Sequence, residues 1–325
     1  MRIATFNLEN LDMPPKAAIP LEDRISILRP QLTRLAADII CFQEINGQRE
    51  KPGSERRLIA LEMLLKDTPY ASFERAATAV ADGCGVADVH NLVVLSRFPI
   101  KESCQIRHSF VGAPLYRCVT AMPAEDEARK IVWDRPILKT TLELSDAQTL
   151  HIFNVHLRAP LAAPVAGQKE APFVWKSAQG WAEGYFLAVV KRAGQALELR
   201  LAIDQVLDTD PEALIAVCGD LNAEDHESPL RITLASEEDT GSGKLAQRGL
   251  VPLERSISQD RRFTVIHHGR PQMLDHILVS RTLLGFFRHL EIHNEALADE
   301  LVGYAKIDTP PDSFHAPMVA EFALD

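Results

Sequence analysis

Short apolar runs that stop abruptly at polar residues recur along this chain. Residues 3–8 end in Asn7-Leu8-Glu9-Asn10, residues 38–42 in Gln43-Glu44, and residues 213–218 in Gly219-Asp220-Leu221-Asn222. Runs of this length that are almost wholly apolar have the pattern of strands buried on both faces. Residues 90–95 read as another strand, closed by Ser96-Arg97-Phe98-Pro99-Ile100. Residues 136–144 and 149–157 are two more, joined by the polar Ser145-Asp146-Ala147-Gln148, which makes a hairpin and part of the sheet antiparallel. Later strands fall near 263–266, 273–280 and 317–322.

Between these runs the period changes to that of helices. Asp23 is placed to cap a helix over 24–36, with Ile25, Leu28, Leu32 and Leu35 on one face. A second amphipathic helix is expected over 55–66 and a long one over 181–207. Residues 158–180 hold prolines, glycines and Trp175 without a steady period, and read as a long surface loop. Residues 237–244 read as a polar turn. Strands alternating with amphipathic helices, plus a hairpin, predict an α/β fold with a mixed pair of sheets. With neither internal repeats nor a clean linker, one domain over residues 1–325 is expected.

Composition changes this picture little. The chain has 325 residues, 46% hydrophobic and 25% charged, the balance of a soluble globular protein. Its net charge of −10 offers no basic surface for nucleic acid and argues against strong non-specific DNA affinity, although a local patch with a bound cation can still hold a phosphate. Five cysteines form no C-x-x-C pair, and Cys41 and Cys218 lie inside apolar runs, where they act as small hydrophobes. No apolar stretch approaches the ~18 residues of a membrane span, and the chain enters a strand pattern without a leader-like segment. A reduced, cytoplasmic location is therefore expected.

The chemistry gathers where the strands stop: Asn7 and Glu9, Gln43 and Glu44, Asn154 and His156, Asp220 and Asn222. Asp275 and His276 lie within a late strand, and His315 just precedes the last. Asp220 and Asn222 alone could simply cap the next helix. Repetition at several strand ends instead points to one cleft. Carboxylates, amides and histidines in that combination suit metal-assisted attack of water on a phosphoryl centre. No G-x-S-x-G or phosphate-loop pattern is present.

In order along the chain, TFNLENL, CFQEI, NVHL, GDLNAE, LDHILVS and SFHAPMVAEF resemble the endonuclease/exonuclease/phosphatase superfamily. That superfamily includes deoxyribonuclease-type nucleases, apurinic/apyrimidinic endonucleases, sphingomyelinases and inositol polyphosphate 5-phosphatases. The resemblance implies a four-layer α/β/β/α sandwich of two packed mixed sheets flanked by helices. It implies Mg²⁺ or Mn²⁺ held by Glu44, supported by Asn7 and more weakly by Glu9. It also implies Asp220 as the base or orienter of water and Asn222 as its positioning amide. His156 and His315 would contact the phosphate, with Asp275 fixing the tautomer of His315, while His276 is structural and Arg97 packs or pairs. Asn154 and Arg158 are expected to bind substrate.

The family usually reads Ser-Asp-His-x-Pro near its end, whereas this chain has Ser313-Phe314-His315-Ala316-Pro317. A phenyl ring cannot ligate a cation. A kink at Pro310-Pro311 could bring Asp312 in as a substitute while Phe314 walls the phosphate site, or Glu9 or water completes the shell. The implied activity is metal-dependent hydrolysis of a phosphodiester in a nucleic acid or nucleotide-like substrate. Alternatives are a phosphomonoesterase, a phospholipid or inositol-phosphate phosphatase, or a binding module without catalysis. Oligomeric state is not legible in the sequence.

Overall fold

The alternation of side chains along each strand decides the layers. In the computed structural model, which describes residues 1–14, 16–17, 19–80, 83–145, 148–301 and 312–324, the long strands form two six-stranded sheets. The strands are β1 (Arg2–Leu11), β2 (Ile39–Ile45), β3 (Glu74–Ala77), β4 (Asn91–Ser96), β5 (Ile100–Ile106), β6 (Ile137–Ser145), β7 (Gln148–His156), β8 (Leu214–Asp220), β9 (Val251–Pro252), β10 (Asp275–Val279), β11 (Phe287–Ile292) and β12 (Met318–Phe322). The first sheet runs β11-β12-β1-β2-β4-β3 and the second β9-β10-β8-β7-β6-β5. The pairs β1–β2 and β7–β8 are parallel, and the other neighbours are antiparallel.

One set of alternating residues faces the other sheet. Ile3, Ile39, Cys41, Leu92 and Val94 meet Leu138, Leu150, Ile152, Ala216 and Cys218 in one buried apolar layer. The opposite set of the first sheet, with Phe6, Phe42 and Val93, packs on helices α1 (Leu21–Leu35) and α2 (Ile59–Leu65). Phe153, Ile215 and Val217 pack on α3 (Ala178–Thr209) and α4 (Ser228–Leu234). The order is therefore helix, sheet, sheet, helix. Among the described residues no helix is long and apolar enough to cross a membrane.

Several boundaries differ from expectation for identifiable reasons. Helix α1 starts at Leu21 after Pro20, whose φ of −58° leads into the helix, so Asp23 lies inside the first turn and makes no cap. There it still complements the helix dipole. The second helix is shorter than expected because Arg56–Arg57 pairs with Gln48–Arg49. Residues 158–180 are not a plain loop: Lys169–Ala171 pairs with Val174–Trp175, and Ser177 caps α3 by accepting from Gly180 N–H. The polar turn at 237–244 holds a short helix, Glu237–Thr240. The centre of the 136–157 hairpin turn, residues 146–147, lies outside the described residues.

Strand β8 does not break at Gly219 but continues through it to Asp220. Gly219 has φ 142°, and a Cβ there would sit 2.0 Å from the Val155 carbonyl oxygen. Only glycine permits so close an approach of β7 and β8.

At the far side of the first sheet, Arg2 Nη1 binds Glu321 at 3.0 Å and Nη2 binds Glu291 at 2.9 Å, joining β1, β11 and β12. Burial works against ionisation of Glu291, yet hydrogen bonds from His293, Arg2 and His289 outweigh it and depress its pKa from 4.5 to about 2. A depressed carboxylate contributes stability above its unfolded pKa and loses it as pH falls through the folded value. Because the Glu291 side chain is 37% exposed, solvent screening keeps this below ~1 kcal/mol. Glu291→Gln is expected to lower Tm slightly near neutral pH, with the deficit shrinking between pH 4.5 and about 2. A deficit constant across thermal melts in that window would contradict the assignment.

Candidate functional site

The inward-facing positions change character along each central strand. On β1 they run Ile3, Thr5, Asn7; on β7, Ile152, Asn154, His156; on β8, Ala216, Cys218, Asp220. The apolar layer thus gives way to a polar tie and then to ionisable groups. The tie is a single cluster: Gln43 Nε2 donates to Asn154 Oδ1 at 2.7 Å, and Asn154 Nδ2 donates to the Phe42 and Val93 carbonyls, each at 2.9 Å. Asn154 is 0% exposed and its amide is committed across the two sheets. It therefore joins the scaffold and does not face substrate, contrary to the sequence expectation.

Above the tie, strand ends meet at one edge. His156 lies opposite Asp220 in the parallel pair β7–β8, and Asp220 opposite Asp275 in the antiparallel pair β8–β10. Parity along β2 would send Glu44 toward the helices with Phe42. Instead Glu44 has φ 60° at a register irregularity, and its carboxylate reaches Asn7 Nδ2 at 3.3 Å and Asn10 N–H at 3.1 Å. Glu9, Asn10, His90 and Asn222 are also left-handed, with φ between 45° and 60°. Each such non-glycine residue costs about 1 kcal/mol or more, and their concentration around one cleft marks a site where backbone strain fixes side-chain direction.

Asn7 Nδ2 donates to Asp220 Oδ2 at 3.2 Å as well, so one amide spans two carboxylates. His156 Nε2 lies 3.4 Å from Asp220 and 3.6 Å from Glu44. Asn222 N–H donates to Asp220 Oδ1 at 2.8 Å, and its side-chain NH₂ donates to the Leu157 carbonyl at 3.1 Å. Arg192 of α3 donates to the Asn222 carbonyl and to Glu227, holding this turn from behind. His315 Nδ1 donates to Asp275 Oδ2 at 2.8 Å.

Burial raises the Asp220 carboxyl from 3.8 to about 7, helped by the nearby Asp275 and opposed by His315 and the Asn222 N–H. Burial also drives His156 well below its usual value, with Arg135 adding to the effect, so its imidazole is neutral. For His315, burial acts downward but Asp275 more than offsets it, lifting the group well above the usual histidine range. A base near neutrality thus faces a cation held by a carboxylate.

Asp220, Asp275 and His315 present ligand atoms within 4.8 Å of one another, the one such group among the described residues. Asp275 Oδ1 is buried there without a hydrogen-bond partner. Oxygen donors of this kind, with Glu44 close to Asp220 through Asn7, fit a hard divalent cation.

The sequence matches the model of the Endonuclease/Exonuclease/phosphatase family over residues 4–295. The chain belongs to that family. Similar solved structures include the family's protein from Bacteroides vulgatus, with 16% identity, 100% and 98% of the two chains covered and a TM-score of 0.57. Truncated TDP2 from Caenorhabditis elegans is 13% identical, covering 99% and 96%, with a TM-score of 0.56. An AP endonuclease from Archaeoglobus fulgidus is 15% identical, covering 99% of each chain, with a TM-score of 0.51. No curated protein matches the sequence at a significant level.

Within this member of the family, two basic groups at the cleft escaped sequence reasoning. Arg135, just before β6, donates from Nη2 to His90 Nδ1 at 2.6 Å; burial lowers its pKa, opposed in part by the nearby charges of Glu44 and Asp220. With Nδ1 accepting, His90 Nε2 carries the proton toward Asn10 Oδ1 at 2.9 Å. Only the Asp134-Arg135-Pro136 start of a strand marked the place, and nothing in that pattern signals a cleft. Arg158 sits at the rim, its guanidinium 2.9 Å from Asp134. His276 is fully buried between Glu254 and the Ala223 carbonyl; burial opposes its charge, but Glu254 raises it to about 9.

Glu9 turns toward the end of the chain, where its Oε2 accepts from Phe314 N–H at 2.7 Å. Ser313 Oγ donates to the Asn7 carbonyl at 2.7 Å and accepts from His315 N–H at 3.0 Å, which seats the histidine. Phe314 is 3% exposed, as buried as His156. Asp312 is absent from the acid–histidine group, and its backbone carbonyl is bound by Arg24. Pro310 and Pro311, where a kink was expected, lie outside the described residues.

The scaffold role of Asn154 has a direct test. Asn154→Ala leaves the Phe42 and Val93 carbonyls and the Gln43 amide without their buried partner, and is expected to cost roughly 3 kcal/mol in urea unfolding. Unchanged stability would return Asn154 to the list of substrate contacts.

Proposed function

We propose that this protein is a Mg²⁺- or Mn²⁺-dependent phosphodiesterase acting on a nucleic acid or nucleotide-like substrate by attack of activated water. The observation that carries the reading is Asp220, buried, oriented by Asn7 and Asn222, and poised at about 7 opposite the His315–Asp275 pair. Asp220 accepts the proton of the attacking water as the new P–O bond forms and the ester P–O bond opposite it breaks, the departing oxygen leaving as an alkoxide or aryloxide that takes a proton from solvent. His315, charged and able to donate from its other nitrogen, meets a non-bridging oxygen. His156 and Arg135 face the same developing charge. Glu44, oriented by Asn7, and the unpartnered Oδ1 of Asp275 would hold the cation, with Asp220 beside it taking the proton. A bound divalent cation supplies charge neutralisation at the phosphoryl group.

Glu9 positions the Phe314–His315 segment through its carboxylate, and Asn222 orients Asp220 through its backbone N–H. Family membership does not select a substrate. A net charge of −10 favours a small, nucleotide-like phosphodiester over a long polyanion, because a polymer needs an extended cationic surface.

Hydrolysis of bis-p-nitrophenyl phosphate is expected to require Mg²⁺ or Mn²⁺; full activity after exhaustive chelation, with metal content verified, would end the metal-dependent reading. Asp220→Asn and His315→Ala are each expected to reduce kcat by at least ~10², the scale of losing a general base or a charge-stabilising donor. KM should change far less, since both groups act on the transition state. Near wild-type kcat in a variant with unaltered melting would remove that residue from the mechanism.

A further inference from the structure

A second cavity, of about 490 Å³, opens beside the cleft under the segment between β5 and β6. Two carboxylates on one helix build it. Glu198 of α3 accepts from the backbone N–H groups of His108, Ser109 and Phe110 and from Trp133 Nε1, the last at 2.7 Å. About four turns of helix earlier, Glu183 accepts from the Tyr116 hydroxyl at 2.9 Å and from Val119 and Thr120 N–H. Glu198 is 0% and Glu183 7% exposed, so the segment is fastened to α3 by satisfied buried carboxylates and the cavity is preformed.

Its position relates it to the reaction centre. Asp134 lines the cavity, while the next residue, Arg135, reaches His90 and the carboxylates of the cleft. Asp134 is also bonded to Arg158, which lies two residues beyond His156, roughly 7 Å along extended chain. The cavity wall and the cleft wall thus share the Asp134–Arg135 segment.

The lining fits a planar heterocycle. Tyr116, Ile131, Trp133 and Leu187 give an apolar body, and Glu125, which also pairs with Arg129, supplies an acceptor for an amino group, while both Asp134 oxygens are taken by Lys191 and Arg158. Arg107 and Lys130 also line it, without a hydrogen bond or ion pair among the described residues, and can meet an anion. An acyl chain would leave all four of those charged groups against hydrocarbon. A volume of this size is that of a small-molecule site.

We propose that this cavity is a specificity subsite for the nucleoside on the non-reacting side of the scissile phosphate. The proposal rests on the phosphodiesterase reading and narrows it to dinucleotide-like substrates. Leu187→Trp fills the cavity, and the double variant Arg107→Ala/Lys130→Ala removes its free cations from the surface without touching its packing.

Two measurements on the full chain test it. Calorimetric binding of adenosine 5′-monophosphate should be detectable with the wild type and weaken at least about tenfold in both variants. The ratio of kcat/KM for diadenosine monophosphate to that for bis-p-nitrophenyl phosphate, with Mg²⁺ or Mn²⁺, should fall by a similar factor. Nucleotide affinity and ratio that overlay wild type in the double variant would overturn the proposal, even if Leu187→Trp fails to fold. So would a preference for a short-chain diacyl phosphodiester that the same variants abolish. If wild type hydrolyses neither diester, the phosphodiesterase reading falls by itself, and the calorimetry still decides the cavity.

Discussion

The structure depends on a hydrogen bond between two amides, Gln43 of one sheet and Asn154 of the other, 2.7 Å apart and fully buried. Two apolar sheet faces can slide or rotate against each other at little cost, because hydrophobic contact is non-directional. A buried amide pair cannot, since any displacement leaves polar groups unsatisfied. Asn154 also takes the carbonyls of Phe42 and Val93, so it fixes β7 against both β2 and β4. The next inward positions, Asn7, His156 and Asp220, inherit that registration. This is how carboxylates from different sheets come to share a single amide, Asn7, within 3.3 Å.

Holding so many ionisable groups together out of water has electrostatic consequences. Burial alone would neutralise all of them. Instead the groups diverge: Asp220 sits near neutrality, His156 is pushed down and His315 is pushed up. Such divergence separates a proton acceptor from a cation within one small volume. The left-handed backbone at Glu9, Asn10, Glu44, His90 and Asn222 is the conformational counterpart, because these residues surround the same cleft. Strain there is offset by the two packed sheets below.

Much of this was legible in the sequence because strands buried on both faces leave uninterrupted apolar runs, and their polar ends are conspicuous. The central strands and the residues at their ends were found for that reason. Edge strands were not. Ile100–Ile106 is exposed along most of its length, and Glu74–Ala77 is short and polar, so neither carries a period. Asn154 was misassigned because a strand-end amide beside a histidine has the same pattern whether it faces substrate or ties two sheets. Arg135 went unseen since its relation to Glu44 and Asp220 exists only after folding. The long helix α3 was found, but not its buried Glu183, Arg192 and Glu198, which anchor neighbouring segments and read in sequence as solvent-facing charge.

The central claim is that carboxylates from both sheets, Glu44 and Asp220, lie with Asp275 around one divalent cation site. Titrating Mn²⁺ into the protein and following free ion by electron paramagnetic resonance measures that site without reference to any substrate. The account predicts saturable binding in the wild type, marked weakening in both Glu44→Gln and Asp220→Asn, and retention in a Glu9→Gln variant that stays folded. Binding curves for Glu44→Gln and Asp220→Asn that superimpose on the wild type would contradict it.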